Sequence, residues 1–194
     1  LWWVEGDRLC MRPHPGQRRA LRSTTRFTFM LAGTQSGKTA LGPLWLLREL
    51  QRRGPGDYLA VTSTFNLLQL KMLPEFLRLF DTTCQLGTWS ESKKTYTLTP
   101  AGHRYLFGAE PLPDEPPSRV IFGSADRPES LESATARAAW LDECGQATFR
   151  LESWQAVQRR LSLYQGRVLG GTTLYNLGWL KTEVYDRWRA GDPD

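Results

Sequence analysis

Apolar positions along the chain fall into two alternating kinds of run. Short stretches rich in β-branched and aromatic residues are separated by longer ones whose apolar residues return every three or four positions. The first kind reads as strand and the second as amphipathic helix. Their alternation predicts an α/β domain whose sheet is covered by helices. Strands are expected over residues 26–31, 58–62, 119–122, 138–141 and 167–171, and helices over 39–50, 66–80, 151–163 and 177–189. Residues 95–98 and 104–107, separated by Pro100-Ala101-Gly102, predict a β-hairpin. The stretch 111–117 holds four prolines and is expected to be loop. No interdomain linker or internal repeat interrupts the pattern, so residues 1–194 are read as one domain, with an N-terminal segment of about 1–25 and a core of about 26–194.

Composition changes this picture little. At 40% apolar and 23% charged residues the chain is not a disordered one. It has no apolar run approaching the ~18 residues of a membrane span. The opening Leu1-Trp2-Trp3-Val4 is too short, and too soon followed by Glu5 and Asp7, to be a signal-peptide core. Three widely spaced cysteines with two histidines argue against a zinc site or a disulfide framework. A net charge of +5 permits contact with nucleic acid without demanding it. The clusters Arg18-Arg19-Arg22 and Lys93-Lys94 could serve such contact or be solvated faces, and the eight tryptophans are read as core.

The sharpest chemical signal is LAGTQSGKTAL, residues 31–41. A strand, a glycine-bearing loop and a helix occur in the order that gathers backbone N–H groups and a helix N-terminus around a phosphate. Gly33, Thr34, Gln35, Ser36, Gly37, Lys38 and Thr39 form the expected cradle, with Lys38 reaching the β- and γ-phosphates and the Thr39 hydroxyl on Mg²⁺. The pattern G-x-x-x-x-G-K-[ST] is broken at its first position, where Ala32 precedes Gly33. This is tolerable provided residue 32 needs no positive φ.

A second element is the apolar run 138–141 ending in Asp142-Glu143. An aspartate ending such a strand holds the Mg²⁺ shell, here Asp142 kept ionised, and the adjacent Glu143 can polarise an attacking water. The strand candidates at 58–62 and 119–122 lie between the loop and the acidic pair. They fit the P-loop NTPase subclass of RecA-like type whose mainly parallel sheet carries an additional strand between the two motif-bearing strands and uses a catalytic glutamate. No N-K-x-D guanine reader is present, because Asn66 and Asn176 are the sole asparagines and neither begins one. ATP is therefore the expected nucleotide.

With HPGQRRALRS before the first strand, AGTQSGKT in the loop, SADRPESLESATARAAWLDECGQ around the acidic pair and GGTTLYNLGWL near the end, the chain resembles the ATPase domain of the large terminase subunit of tailed double-stranded DNA phages. The resemblance implies that Gln17 reads adenine and that Thr172 and Thr173 form a coupling motif sensing the γ-phosphate. It implies Mg²⁺-dependent ATP hydrolysis that drives double-stranded DNA into a procapsid, in a homo-oligomeric ring with a portal protein and a small terminase subunit. The setting it implies is the cytoplasm of the bacterial host. Many terminases carry an arginine where this chain has Thr34, or in the segment matching Ser130-Leu131-Glu132-Ser133. An arginine finger must then come from elsewhere, Arg127 and Arg137 being the nearest candidates, in cis or from a neighbouring subunit. Family members continue into a nuclease domain of ribonuclease-H type. Its metal-binding carboxylates are not found in this sequence, and an excised ATPase domain is expected. A helicase-like or other RecA-type motor would share every motif except the terminase-like context, and a non-hydrolysing nucleotide-binding scaffold is the third reading.

Overall fold

Seven strands form the central sheet in the computed structural model, which describes residues 1–6, 8–127, 135–174 and 178–191. In chain order the strands are β1 (Trp2–Glu5), β2 (Arg8–Met11), β3 (Phe27–Leu31), β4 (Asp57–Thr62), β5 (Gly87–Ser90), β6 (Thr95–Leu98), β7 (Arg119–Ser124), β8 (Ala138–Asp142) and β9 (Arg167–Thr172). The first two make a separate antiparallel hairpin, and the sheet runs β3-β9-β8-β4-β7-β6-β5. From β3 to β7 every pairing is parallel, while β6 and β5 are antiparallel additions at one edge.

A parallel sheet has to be covered on both faces, and its strands divide their residues accordingly. In β4, Tyr58 and Ala60 enter one core while Leu59 and Val61 enter the other; in β8, Trp140 and Leu141 divide the same way. Helices α1 (Pro15–Arg22), α2 (Lys38–Arg53) and α4 (Pro100–Phe107) and the helical run α3 (65–83) cover the first face. The second is covered by α5 (Leu151–Leu161) and the helical residues 179–190, here α6. No helix among the described residues is long and apolar enough to cross a membrane.

Two expectations need correction. Strand β6 does form a hairpin, but with the upstream β5 and not with 104–107. Residues 104–107 belong to α4, where Thr99 accepts the Gly102 N–H, Pro100 occupies the first turn and Gly108 closes the helix at φ 73°. The glycine at 102 lets this helix lie directly on the Leu86 carbonyl, which any side chain would overlap. Secondly, the strand inserted between β3 and β8 is β9, which follows the acidic pair in sequence. The two candidates that precede the acidic pair, β4 and β7, lie on its far side.

Trp45, Trp140 and Trp154 are core residues as expected, whereas Trp3 and Trp188 are exposed.

Candidate functional site

The C-terminal ends of β3, β9 and β8 lie side by side and each delivers a piece of one site. From β3 the chain passes into the phosphate loop and then α2, whose N-cap is Gly37 at φ 74°. Left-handed backbone occurs at Gln35 and Gly37 and at neither Ala32 nor Gly33, so the condition for an alanine at 32 is met. Gly37 is required twice over, because a Cβ there would also lie 2.5 Å from Gln17 Nε2.

Lys38 is 7% exposed, and its ammonium folds back into its own loop. It donates to the carbonyls of Ala32 at 2.9 Å and Gly33 at 2.8 Å, to Ser36 Oγ at 3.2 Å and to Thr173 Oγ1 at 3.4 Å. Thr39 donates to the Asp142 carboxylate, at 3.0 Å to Oδ2 and 3.2 Å to Oδ1. The residue between these groups is Gly171, where a Cβ would stand 3.2 Å from Lys38 Cβ and 3.7 Å from Asp142 Oδ1. Residues 38, 39 and 142 therefore meet at one end of the sheet, with the β9 backbone running between them.

Asp142 is 2% exposed. Burial, opposed by the Thr39 hydrogen bond and reinforced by the neighbouring Glu143, pushes its carboxyl up to about 7; Lys38 and Lys71 pull the other way. The expectation of an ionised Asp142 thus depends on a cation joining the site. Glu143 holds a left-handed backbone at φ 51°, uncommon for a side chain of its size, and its Oε2 is buried without a hydrogen-bond partner. A hydroxyl and a carboxylate converging at hydrogen-bond distance are hard oxygen donors of the kind that Mg²⁺ prefers. Among the described residues no three His, Cys, Asp or Glu side chains form a metal cage. Mg²⁺ at a nucleotide site needs none, since phosphates and waters complete its shell.

Thr172 and Thr173 tie the two motifs together. The Thr172 carbonyl accepts the Ala32 N–H at 3.1 Å, while Thr172 Oγ1 accepts the Gly145 N–H at 2.9 Å. Gln17 is 4% exposed, not a surface residue. Its Oε1 accepts the His14 N–H at 3.1 Å and its Nε2 donates to the Gly37 carbonyl at 3.1 Å, so the amide joins the start of α1 to the loop.

Arg137 precedes β8, at the opposite end of the strand from Asp142, which removes it as a finger acting in cis. There it donates to the Arg53 carbonyl at 3.0 Å and stacks on Tyr164. Arg127 follows β7 at the same end as the site, 6.0 Å from the Phe65 ring centroid. Arg18, Arg19 and Arg22 line an open hollow of about 610 Å³ with Ser23, Thr24 and Thr25. Lys94 pairs with Glu91 in the β5–β6 turn. The segment 130–133, where many terminases carry an arginine, lies outside the described residues.

Sequence reasoning missed two contributors. His14 contacts the loop across 22 positions, and Gln146 accepts from Ser63 Oγ at 2.9 Å just beyond the acidic pair. The proline at 15 and the glutamine at 17 mark a helix start that points to residue 14 as its cap, although histidine is not a favoured cap.

No protein-family model matches the chain, and no curated protein does. Solved structures do. The large terminase ATPase domain of Thermus phage P74-26 superposes with a TM-score of 0.67 at 22% identity, covering 88% of this chain and 68% of that one. The large terminase of a thermophilic bacteriophage gives 0.71 at 12% identity, over 93% of this chain and 44% of that one. That terminase has also been solved in complex with ATP-γ-S and with ADP. The UvsW helicase of bacteriophage T4 gives 0.57 at 16% identity, over 94% of this chain and 59% of that one. With a seven-stranded, mostly parallel sheet and a strand inserted between the loop-bearing and acid-bearing ones, the chain has the P-loop fold of phage large terminase ATPase domains.

Proposed function

We propose that the chain is a Mg²⁺-dependent ATPase whose turnover moves double-stranded DNA into a viral procapsid. It would work as part of a ring of copies with a portal protein and a small terminase subunit, in the cytoplasm of a bacterial host. The observation that carries the reading is the meeting of Lys38 and the Thr39–Asp142 pair at one end of three adjacent strands, with Glu143, whose Oε2 is buried and unpartnered, next in the chain. In use, the Lys38 ammonium exchanges its loop carbonyls for the β- and γ-phosphate oxygens. Thr39 and Asp142 would hold Mg²⁺, which would supply charge neutralisation at the phosphates. Glu143 orients a water and accepts its proton as the water oxygen bonds to the γ-phosphorus and the bond to ADP breaks. Arg127 or a neighbouring copy supplies the cation for the developing charge. DNA contact through backbone phosphates makes the affinity salt-dependent and indifferent to sequence.

Glu143→Gln tests the reading. Phosphate release is expected to fall by about 10²–10⁴-fold while ATP affinity stays within about twofold. A wild-type chain that binds ATP and releases no phosphate would instead be a scaffold. The similarity to UvsW supports a helicase-like motor as second reading, and unwinding of a forked duplex would select it.

A further inference from the structure

Residues 14–17 do more than begin α1. Both nitrogens of His14 are engaged. Nδ1 accepts the N–H groups of Gly16 at 3.1 Å and Gln17 at 3.4 Å, which caps the helix. The ring proton is therefore on Nε2, which donates to the Ser36 carbonyl at 2.9 Å. The next carbonyl of the loop, Gly37, accepts from Gln17 Nε2 at 3.1 Å. Gln17 Oε1 in turn accepts the His14 N–H and closes a capping box. Two successive carbonyls of the phosphate loop are thus held by one four-residue device, that of Ser36 through His14 and that of Gly37 jointly with the Leu41 N–H of α2 at 3.1 Å.

The consequence follows from peptide planarity. In a trans peptide the carbonyl of one residue and the N–H of the next point in opposite directions. Holding the Ser36 and Gly37 carbonyls towards α1 turns the N–H groups of Gly37 and Lys38 the other way, into the concavity where an anion binds. The fit is close on both sides, since a Cβ on Gly37 would stand 2.5 Å from the clamping amide.

We infer that His14 is a positioning residue for the phosphate loop, acting with Gln17 to aim the N–H groups of Gly37 and Lys38 at a phosphate. The inference rests on the nucleotide reading given above for its consequence, and on the two carbonyl contacts for its geometry.

Asparagine separates this role from simple helix capping. In His14→Asn the shorter amide keeps a good N-cap acceptor but is too short to reach Ser36. Wild type, His14→Ala and His14→Asn are compared in three measurements: thermal melting, backbone amide order parameters of residues 33–37, and the kinetics of ATP hydrolysis with Mg²⁺. His14→Ala is expected to melt lower, with His14→Asn recovering the wild-type midpoint. In both variants the order parameters fall from about 0.85 towards 0.6. The KM for ATP rises about tenfold, with kcat within roughly twofold. Wild-type order parameters in His14→Asn, or a wild-type KM there, overturn the inference. Should His14→Ala not fold, His14→Asn decides alone. A wild-type chain that binds no ATP sinks the nucleotide reading, and the order parameters then judge the clamp.

Discussion

A carboxyl group held at the end of a buried strand is a liability that the site depends on. Asp142 is buried with its carboxylate accepting from the Thr39 hydroxyl, and burial raises its folded-state value from 3.8 to about 7. Between those two values the folded chain holds a proton that the unfolded chain has released. This contribution to stability is therefore complete below 3.8 and is lost as the pH rises through about 7. In EDTA, the urea midpoint of the wild type is expected to be higher at pH 5 than at pH 8. Asp142→Asn, which cannot ionise, removes that component and is the more stable of the two at pH 8. A variant less stable than wild type at pH 8 would show that the ionised carboxylate is already compensated within the fold. Mg²⁺ with ATP should narrow the gap, because a cation on Asp142 favours the ionised form.

Between elements, the seam of α2 against β8 sets where that carboxylate stands. Gly42 packs against the indole of Trp140, two residues before Asp142, and a Cβ at 42 would overlap the ring. Helix propensity alone predicts that Gly42→Ala gains up to about 1 kcal/mol. Packing predicts the opposite sign, a loss of about 2 kcal/mol, because Trp140 is buried and has nowhere to move. Urea unfolding of Gly42→Ala decides between them, and a gain would mean the seam yields. The same contrast explains what could be read from the chain. The loop, α2 and β8 are each specified by neighbours within a few residues, so periodicity and motif were enough to place them. Strand β5 was not legible, since Gly87-Thr88-Trp89-Ser90 carries little strand signal. Gly87 is needed because its backbone presses on the Thr97 carbonyl, a contact visible only once β6 is in place. Residues 104–107 are rich in aromatic and apolar side chains like a strand, but the Thr99-Pro100 cap and the Gly108 stop make them the end of a helix. At the site, Lys38, Thr39, Asp142 and Glu143 were recoverable from local pattern. His14 was not, because its contact with Ser36 is a product of how α1 docks.

Over the whole molecule the chemistry and the anchoring occupy opposite ends of the sheet. At the end away from the phosphate loop, Glu49 of α2 is 1% exposed. It pairs with Arg167 at 2.6 Å and Arg53 at 3.0 Å, and more loosely with the half-exposed Arg52 at 3.6 Å. Arg167 also donates to the carbonyls of Thr25 at 3.0 Å and Ser23 at 2.6 Å. One buried carboxylate thereby fastens the last turns of α2 to the start of β9 and, through Arg167, to the chain entering β3. Those two strands carry Thr172 and the phosphate loop at their far ends. Replacing a single partner of such a pair leaves an uncompensated buried charge. Glu49→Gln is accordingly expected to lose about 3 kcal/mol in urea unfolding. Its effect on nucleotide should be small, because 11 helical residues, about 16 Å of axis, separate positions 38 and 49. ATP affinity of the folded variant within about twofold of wild type would establish that the anchoring end sets stability without tuning the site. Weakened affinity at unchanged Asp142 and Lys38 would instead show that tension in α2 is transmitted along its length to the loop.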